Sequence, residues 1–100
     1  MRRFKIGNRT VGEGALPVII VELGINHNGS LDRAIHLADK AIKAGAEIIK
    51  HQTHIPSDEM THHARKIVPM NAKNNIYDLI AKCSLKEKDE KKLMNYIQSK

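Results

Sequence analysis

The stretch Val18-Ile19-Ile20-Val21-Glu22-Leu23-Gly24-Ile25-Asn26-His27-Asn28-Gly29 decides how the rest of the chain is read. It opens as an unbroken run of β-branched residues, the pattern of a strand covered on both faces. Glu22 interrupts that run. A polar loop flanked by Gly24 and Gly29 then leads to Ser30, a residue suited to cap a helix. Parallel α/β folds place their chemistry at such junctions, at the carboxyl ends of the strands. A first strand is therefore expected over residues 18–23, with Glu22 at its mouth.

Downstream, Leu31, Ala34, Ile35, Ala38, Ala41 and Ile42 recur at three- and four-residue intervals, which predicts an amphipathic helix. Asp32 suits its first turn and Gly45 its C′ position. A second strand follows over residues 47–53. Strand, helix and strand in this order make a βαβ unit with parallel pairing. Side chains alternate along a strand, so Ile20 and Glu22 share one face while Val21 and Leu23 share the other. In the second strand Ile48, Lys50 and Gln52 share a face. The alternation predicts that Glu22, Lys50 and Gln52 look into one cavity, with Val21, Leu23, Ile49 and His51 turned to the helices.

Upstream, Phe4 and Ile6, then Gly7-Asn8, then Thr10 and Val11 read as a small hairpin, with a turn-rich connector behind it. Residues 1–17 are thus a hairpin and connector, and residues 18–100 hold two β/α units. Beyond Pro56, residues 57–75 are polar and irregular, with a short helix expected over 58–66. A loop of that length is uncommon unless it serves a site. Asn75 caps a short helix over 76–82. Ser84-Leu85-Lys86-Glu87 matches the capping box. It opens a last helix that reaches about Ser99, with Leu85, Leu93, Met94 and Ile97 as its apolar stripe. Two parallel strands leave open edges, so the chain reads as the amino-terminal fragment of a larger α/β protein.

Composition narrows the function. A net charge of +6 invites nucleic acid. The lysines of residues 82–100 are mixed with Glu87, Asp89 and Glu90, as on a solvated helix face. Aromatic residues are 3% of the chain, too few for a base-stacking platform. No apolar run approaches the ~20 residues that a membrane helix needs, and no signal-peptide core follows the basic amino terminus. Cys83 stands alone, so no internal disulfide forms and a reducing, cytoplasmic compartment is expected.

Three residues carry candidate chemistry. Glu22 is either a strand-end carboxylate in a salt bridge with Lys50 or a site carboxylate. Lys50 either snorkels to solvent, clamps a phosphate or carboxylate, or serves as a Schiff-base amine; the clamp is preferred, since nothing in the neighbouring sequence marks it as an imine-forming amine. Gln52 shares their face. His51, His54, His62 and His63, with Asp58 and Glu59, lack the spacing of a metal ligand set, so no metal ligand is assigned. The loop after the first strand has neither G-x-G-x-x-G nor a P-loop lysine.

Glu22-Leu23-Gly24-Ile25-Asn26-His27-Asn28-Gly29-Ser30 and Ile49-Lys50-His51-Gln52-Thr53-His54-Ile55 together resemble two signatures of the sialic acid synthase family, in its bacterial form. The likeness extends through Phe4-Lys5-Ile6-Gly7-Asn8-Arg9, Ala44-Gly45-Ala46-Glu47, Asp58-Glu59-Met60, Pro69, Asn71-Ala72 and Ile76-Tyr77. The resemblance implies the amino-terminal part of a TIM (β/α)8 barrel in a homodimeric enzyme. That family condenses phosphoenolpyruvate with an N-acetylated amino sugar of the N-acetylmannosamine type, releasing phosphate. It also implies a divalent cation, Mn2+ or Mg2+, whose ligands lie beyond residue 100. Glu22 would be the catalytic carboxylate, Lys50 a phosphoenolpyruvate contact and Gln52 a substrate contact. A barrel needs roughly 250 residues, so the 100-residue chain is expected to be inactive alone. Two other readings stay open: a 3-deoxy-octulosonate phosphate type of synthase, and a non-catalytic basic module that binds an acidic partner.

Overall fold

The computed structural model describes residues 2–70 and 72–100. Met1 and Asn71, the latter one of the residues carrying the resemblance, lie outside the described residues. The fold is α/β with a small amino-terminal antiparallel hairpin. Strands β1 (Arg3–Ile6) and β2 (Arg9–Gly12) pair antiparallel, and β3 (Ile20–Gly24) and β4 (Ile48–His51) pair parallel. Among the described residues the α-helices are α1 (Leu31–Lys43), α2 (Pro56–Glu59), α3 (Ile76–Cys83) and α4 (Glu87–Gln98).

Helix α1 forms as its local signals dictate. The Ser30 side chain accepts the Arg33 backbone N–H at 3.2 Å. At the other end Gly45 takes φ +97°. Its N–H reaches the Ile42 carbonyl while the N–H of Ala46 reaches that of Ala41. These paired bonds satisfy the last helical carbonyls, and a side chain at position 45 would be strained. Ala34, Ala38 and Ala41 form the buried face, and their small size lets α1 lie close on Leu23, Leu85 and Leu93. Helix α4 packs beside α1, where the Tyr96 hydroxyl donates to Asp39 at 2.7 Å.

The strand run is covered on one face only, not on both as its sequence implies. Ile19 and Ile20 are 50% and 56% exposed, while Val21 and Ile49 pack on the core beside buried Leu23. The helices cover one side of β3 and β4, and no described element covers the other. The radius of gyration is 16.9 Å, well above the about 13 Å of a compact chain of this length.

Several boundaries differ from expectation, each for a physical reason. Strand β3 starts at Ile20, not residue 18. Before it, the Arg9 guanidinium takes the Leu16 and Pro17 carbonyls and grips Glu47 at 2.6 Å. Strand β4 ends at His51, not residue 53, because β3 has already turned into its loop at Gly24 and offers no further partner. In place of a helix over 58–66, α2 starts at Pro56 and ends at Glu59, and Met60 after it is extended. A single 3-10 turn, Ala64–Lys66, follows. Arg65 ties this excursion together through the Ser57 and Met60 carbonyls and lies 4.8 Å over the Tyr77 ring. The capping box does not form either. The Ser84 hydroxyl donates back to the Ile80 carbonyl, and Lys86 stands at the α4 N-cap with no side-chain bond. On the α4 stripe Leu93 is buried, but Met94 is 51% exposed.

Candidate active site at the strand ends

Glu22 and Lys50 are register partners across the parallel pair, and their side chains meet at 2.8 Å. Both lie on the face away from the helices, with Glu22 44% and Lys50 64% exposed. Lys50 holds the Glu22 carboxyl below its ordinary range, opposed by partial desolvation and helped by the Gln52 amide and the Gly24 N–H. Glu22 is thus an anion at neutral pH. It has an exposed ammonium partner and a neutral amide beside it. Gln52 lies just past the end of β4, and its Oε1 is 3.1 Å from His54 Nε2.

A register shift between Glu22 and Gly24 sets this geometry. Gly24, not Leu23, stands opposite His51. The extra residue breaks the regular pairing at the strand end, as irregularities beside sites do. Leu23 goes to the core, and the chain turns out through Asn26, whose amide donates to the Leu23 carbonyl at 2.9 Å. The loop then returns to the helix layer at Gly29. A Cβ there would sit 2.6 Å from the Lys82 carbonyl oxygen, so only glycine allows this approach to the end of α3.

The opposite face holds a second polar cluster that sequence reasoning placed only in part. His51 points to the helices, as alternation requires, and its Nε2 is 2.5 Å from Glu90 on α4. His27, wholly buried, packs its ring 5.5 Å from that of His51. The Gly29 N–H donates to His27 Nδ1 at 3.0 Å, so the ring proton is on Nε2. Burial pushes the His27 pKa down, and a charge on His51 adds to this while Glu90 opposes it. Neither the burial of His27 nor its neighbour Glu90 carries a signal in sequence, because 39 residues separate His51 from Glu90.

The four histidines considered as metal ligands do not converge. His51 is engaged with Glu90 and His54 with Glu59. Among the described residues no group of three or more His, Cys, Asp or Glu side chains could hold a metal ion. No described helix is long and apolar enough to cross a membrane.

A carboxylate, an ammonium group and an amide gathered at the carboxyl ends of parallel strands define an α/β protein with a strand-end polar site. The chain belongs to the NeuB family: residues 37–100 match that family's profile. It is 52% identical over 52 residues to the spore coat polysaccharide biosynthesis protein SpsE of Bacillus subtilis, covering 52% of this chain and 14% of that protein. It is 34% identical over 98 residues to the uncharacterized protein MJ1065 of Methanocaldococcus jannaschii, covering 98% of this chain and 26% of that one. The crystal structure of SpsE superposes with a TM-score of 0.65 at 32% identity, over 98% of this chain and 25% of the SpsE chain. The chain thus spans about a quarter or less of the length of these relatives.

Proposed function

We propose that residues 18–100 supply the first two β/α units of a TIM (β/α)8 barrel in a cytoplasmic, homodimeric synthase. The complete protein condenses phosphoenolpyruvate with an N-acetylated amino sugar of the N-acetylmannosamine type, giving a sialic-type nonulosonic acid and phosphate. The observation that carries this reading is the Glu22–Lys50 pair with Gln52 on the bare face of β3 and β4. That face is where a closed barrel would have its interior mouth. Membership of the NeuB family supports it.

The chemistry suits these groups. The enol carbon of phosphoenolpyruvate attacks the sugar aldehyde, whose oxygen takes up a proton and becomes a hydroxyl. Water adds to the resulting oxocarbenium carbon and gives up a proton; the carbon then collapses to a ketone as its C–O bond to phosphate breaks, and the remaining hydroxyl proton leaves with the phosphate. The Glu22 anion is suited to face the cationic carbon and to accept the proton of the water. Lys50 is the clamp for the phosphate or carboxylate of phosphoenolpyruvate. As an exposed ion pair, Lys50 and Glu22 hold each other loosely, so the ammonium can exchange its carboxylate for a ligand. Gln52 supplies a neutral donor to either substrate. The divalent cation of this reading, Mn2+ or Mg2+, fits no set of described residues, and its ligands belong to the rest of the barrel.

The test joins residues 1–100 to the downstream three quarters of the Bacillus subtilis relative. It follows phosphate release from phosphoenolpyruvate and N-acetylmannosamine with manganese. Lys50→Ala should lower kcat/KM by roughly ten- to a hundredfold, the worth of a charge-assisted hydrogen bond. Residues 1–100 alone should show no turnover. A cooperatively melting fusion whose turnover is the same with and without Lys50 and Glu22 would refute the reading.

A further inference from the structure

We propose that His54 and Glu59 are positioning residues that present the NH2 end of the Gln52 amide to Glu22 and to a ligand at the strand ends. The role in ligand binding rests on the site reading above; the positioning itself does not. His54 Nδ1 lies 2.9 and 3.1 Å from the two Glu59 carboxylate oxygens, and its Nε2 lies 3.1 Å from Gln52 Oε1. The ring is largely covered, with its side chain 21% exposed. Glu59 is held in turn: its Oε1 accepts the Ile55 backbone N–H at 2.9 Å across the single turn of α2. His54, followed by the Ile55 N–H, keeps the Glu59 carboxyl below its ordinary range.

The hydrogen inventory then fixes Gln52. Gln52 turns its oxygen to His54 Nε2, so Nε2 is the donor of that contact. The oxygen being taken, the NH2 end of the amide is the end left for Glu22, and its hydrogen bond helps hold that carboxyl down. Reversing the amide would set its oxygen against the Glu22 carboxylate. Gln52 has no strand partner to restrain it, since β4 ends at His51. The ring of His54 therefore takes over the restraint that pairing would have provided, in a chain of contacts running Glu59, His54, Gln52, Glu22, Lys50.

The test is two-bond 1H–15N NMR of the ring nitrogens and the side-chain amides of the whole chain. His54 should show hydrogen on Nε2, and the Gln52 NH2 should show cross-relaxation to Glu22. His54→Phe keeps an aromatic ring and removes both ring nitrogens, so it should move the Gln52 NH2 signals to those of a free amide. His54→Gln restores a donor near Nε2 and should return them. Glu59→Gln leaves the ring in place and should reproduce the loss, which covers a His54→Phe chain that fails to fold. Gln52 signals that stay the same in all three variants would overturn the proposal, as would an acceptor Nε2 in the parent chain. In the fusion, His54→Phe should lower kcat/KM about tenfold through a misplaced contact, with His54→Gln recovering most of it. Should Lys50→Ala and Glu22→Gln be silent there, the site reading fails, while the NMR result still decides the positioning pair.

Discussion

Lys50 and His51 are neighbours on one strand, and each is paired with a glutamate, yet the two pairs live in different physical settings. Lys50 meets Glu22 at 2.8 Å on the open face, and both side chains are substantially in water. His51 meets Glu90 at 2.5 Å under α4, with side chains 16% and 12% exposed. Water screens the first pair and can replace either partner, so that contact is exchangeable. The second has given up most of its water, so neither partner can leave without stranding the other. One strand thus carries an exchangeable pair on its open side and a structural pair on its packing side, one residue apart.

The sharpest way to break this contrast is through the apolar groups of the two faces. Leu93 is 1% exposed in the core between α4 and α1, whereas Ile20 is 56% exposed on the bare face. Leu93→Ala should cost about 2–5 kcal/mol in urea unfolding, through lost burial and the cavity left behind. Ile20→Ala should leave the midpoint nearly unchanged. Similar losses from both would mean that the bare face is covered in solution. The pairs themselves come next. Glu90→Ala should cost about 1–3 kcal/mol, the desolvation penalty of a stranded buried polar group. Glu22→Ala should leave the melting temperature where it was, because the freed ammonium already faces water. A larger loss from Glu22 than from Glu90 would invert the assignment of structural and exchangeable roles.

What could be read in advance follows from how local each determinant is. Helix α1 was legible because Ser30, the alanine spacing and Gly45 lie within one segment and decide it together. The opposite pointing of Lys50 and His51 was legible because strand alternation is a property of the backbone. The start of β3 was not, since Arg9 and Glu47, far apart in sequence, divert residues 16–19 into their own hydrogen bonds. The capping box failed for a related reason: its serine found a free carbonyl at the end of α3 closer than the N–H groups of α4. Of the site, the shared face of Glu22 and Lys50 could be derived. The contacts of Gln52 with His54, and of His54 with Glu59, could not, because the same histidine letter suits a metal, a carboxylate or an amide.

The smallest effect separates the two faces by pH. His27 lies on the packed side, and burial lowers its pKa below the ordinary 6.5. Its unfolded form therefore binds a proton at higher pH than its folded form does. The stability it contributes is complete above about 6.5 and is lost as pH falls from there through the lowered folded value. Glu22 lies on the open side, with its pKa lowered below 4.5 chiefly by Lys50. Its contribution is present above about 4.5 and fades only as pH falls through the lowered value, and its exposure makes that contribution slight. Melting temperature against pH should therefore bend downward first just below 6.5. His27→Gln keeps a polar group of similar reach and removes the titration, so it should flatten that first bend while leaving the decline below 4.5 in place. Glu22→Gln should leave the first bend intact. If the bend near 6.5 survives in His27→Gln at full size, His27 is hydrated in solution, and the packed face is wetter than its buried rings imply.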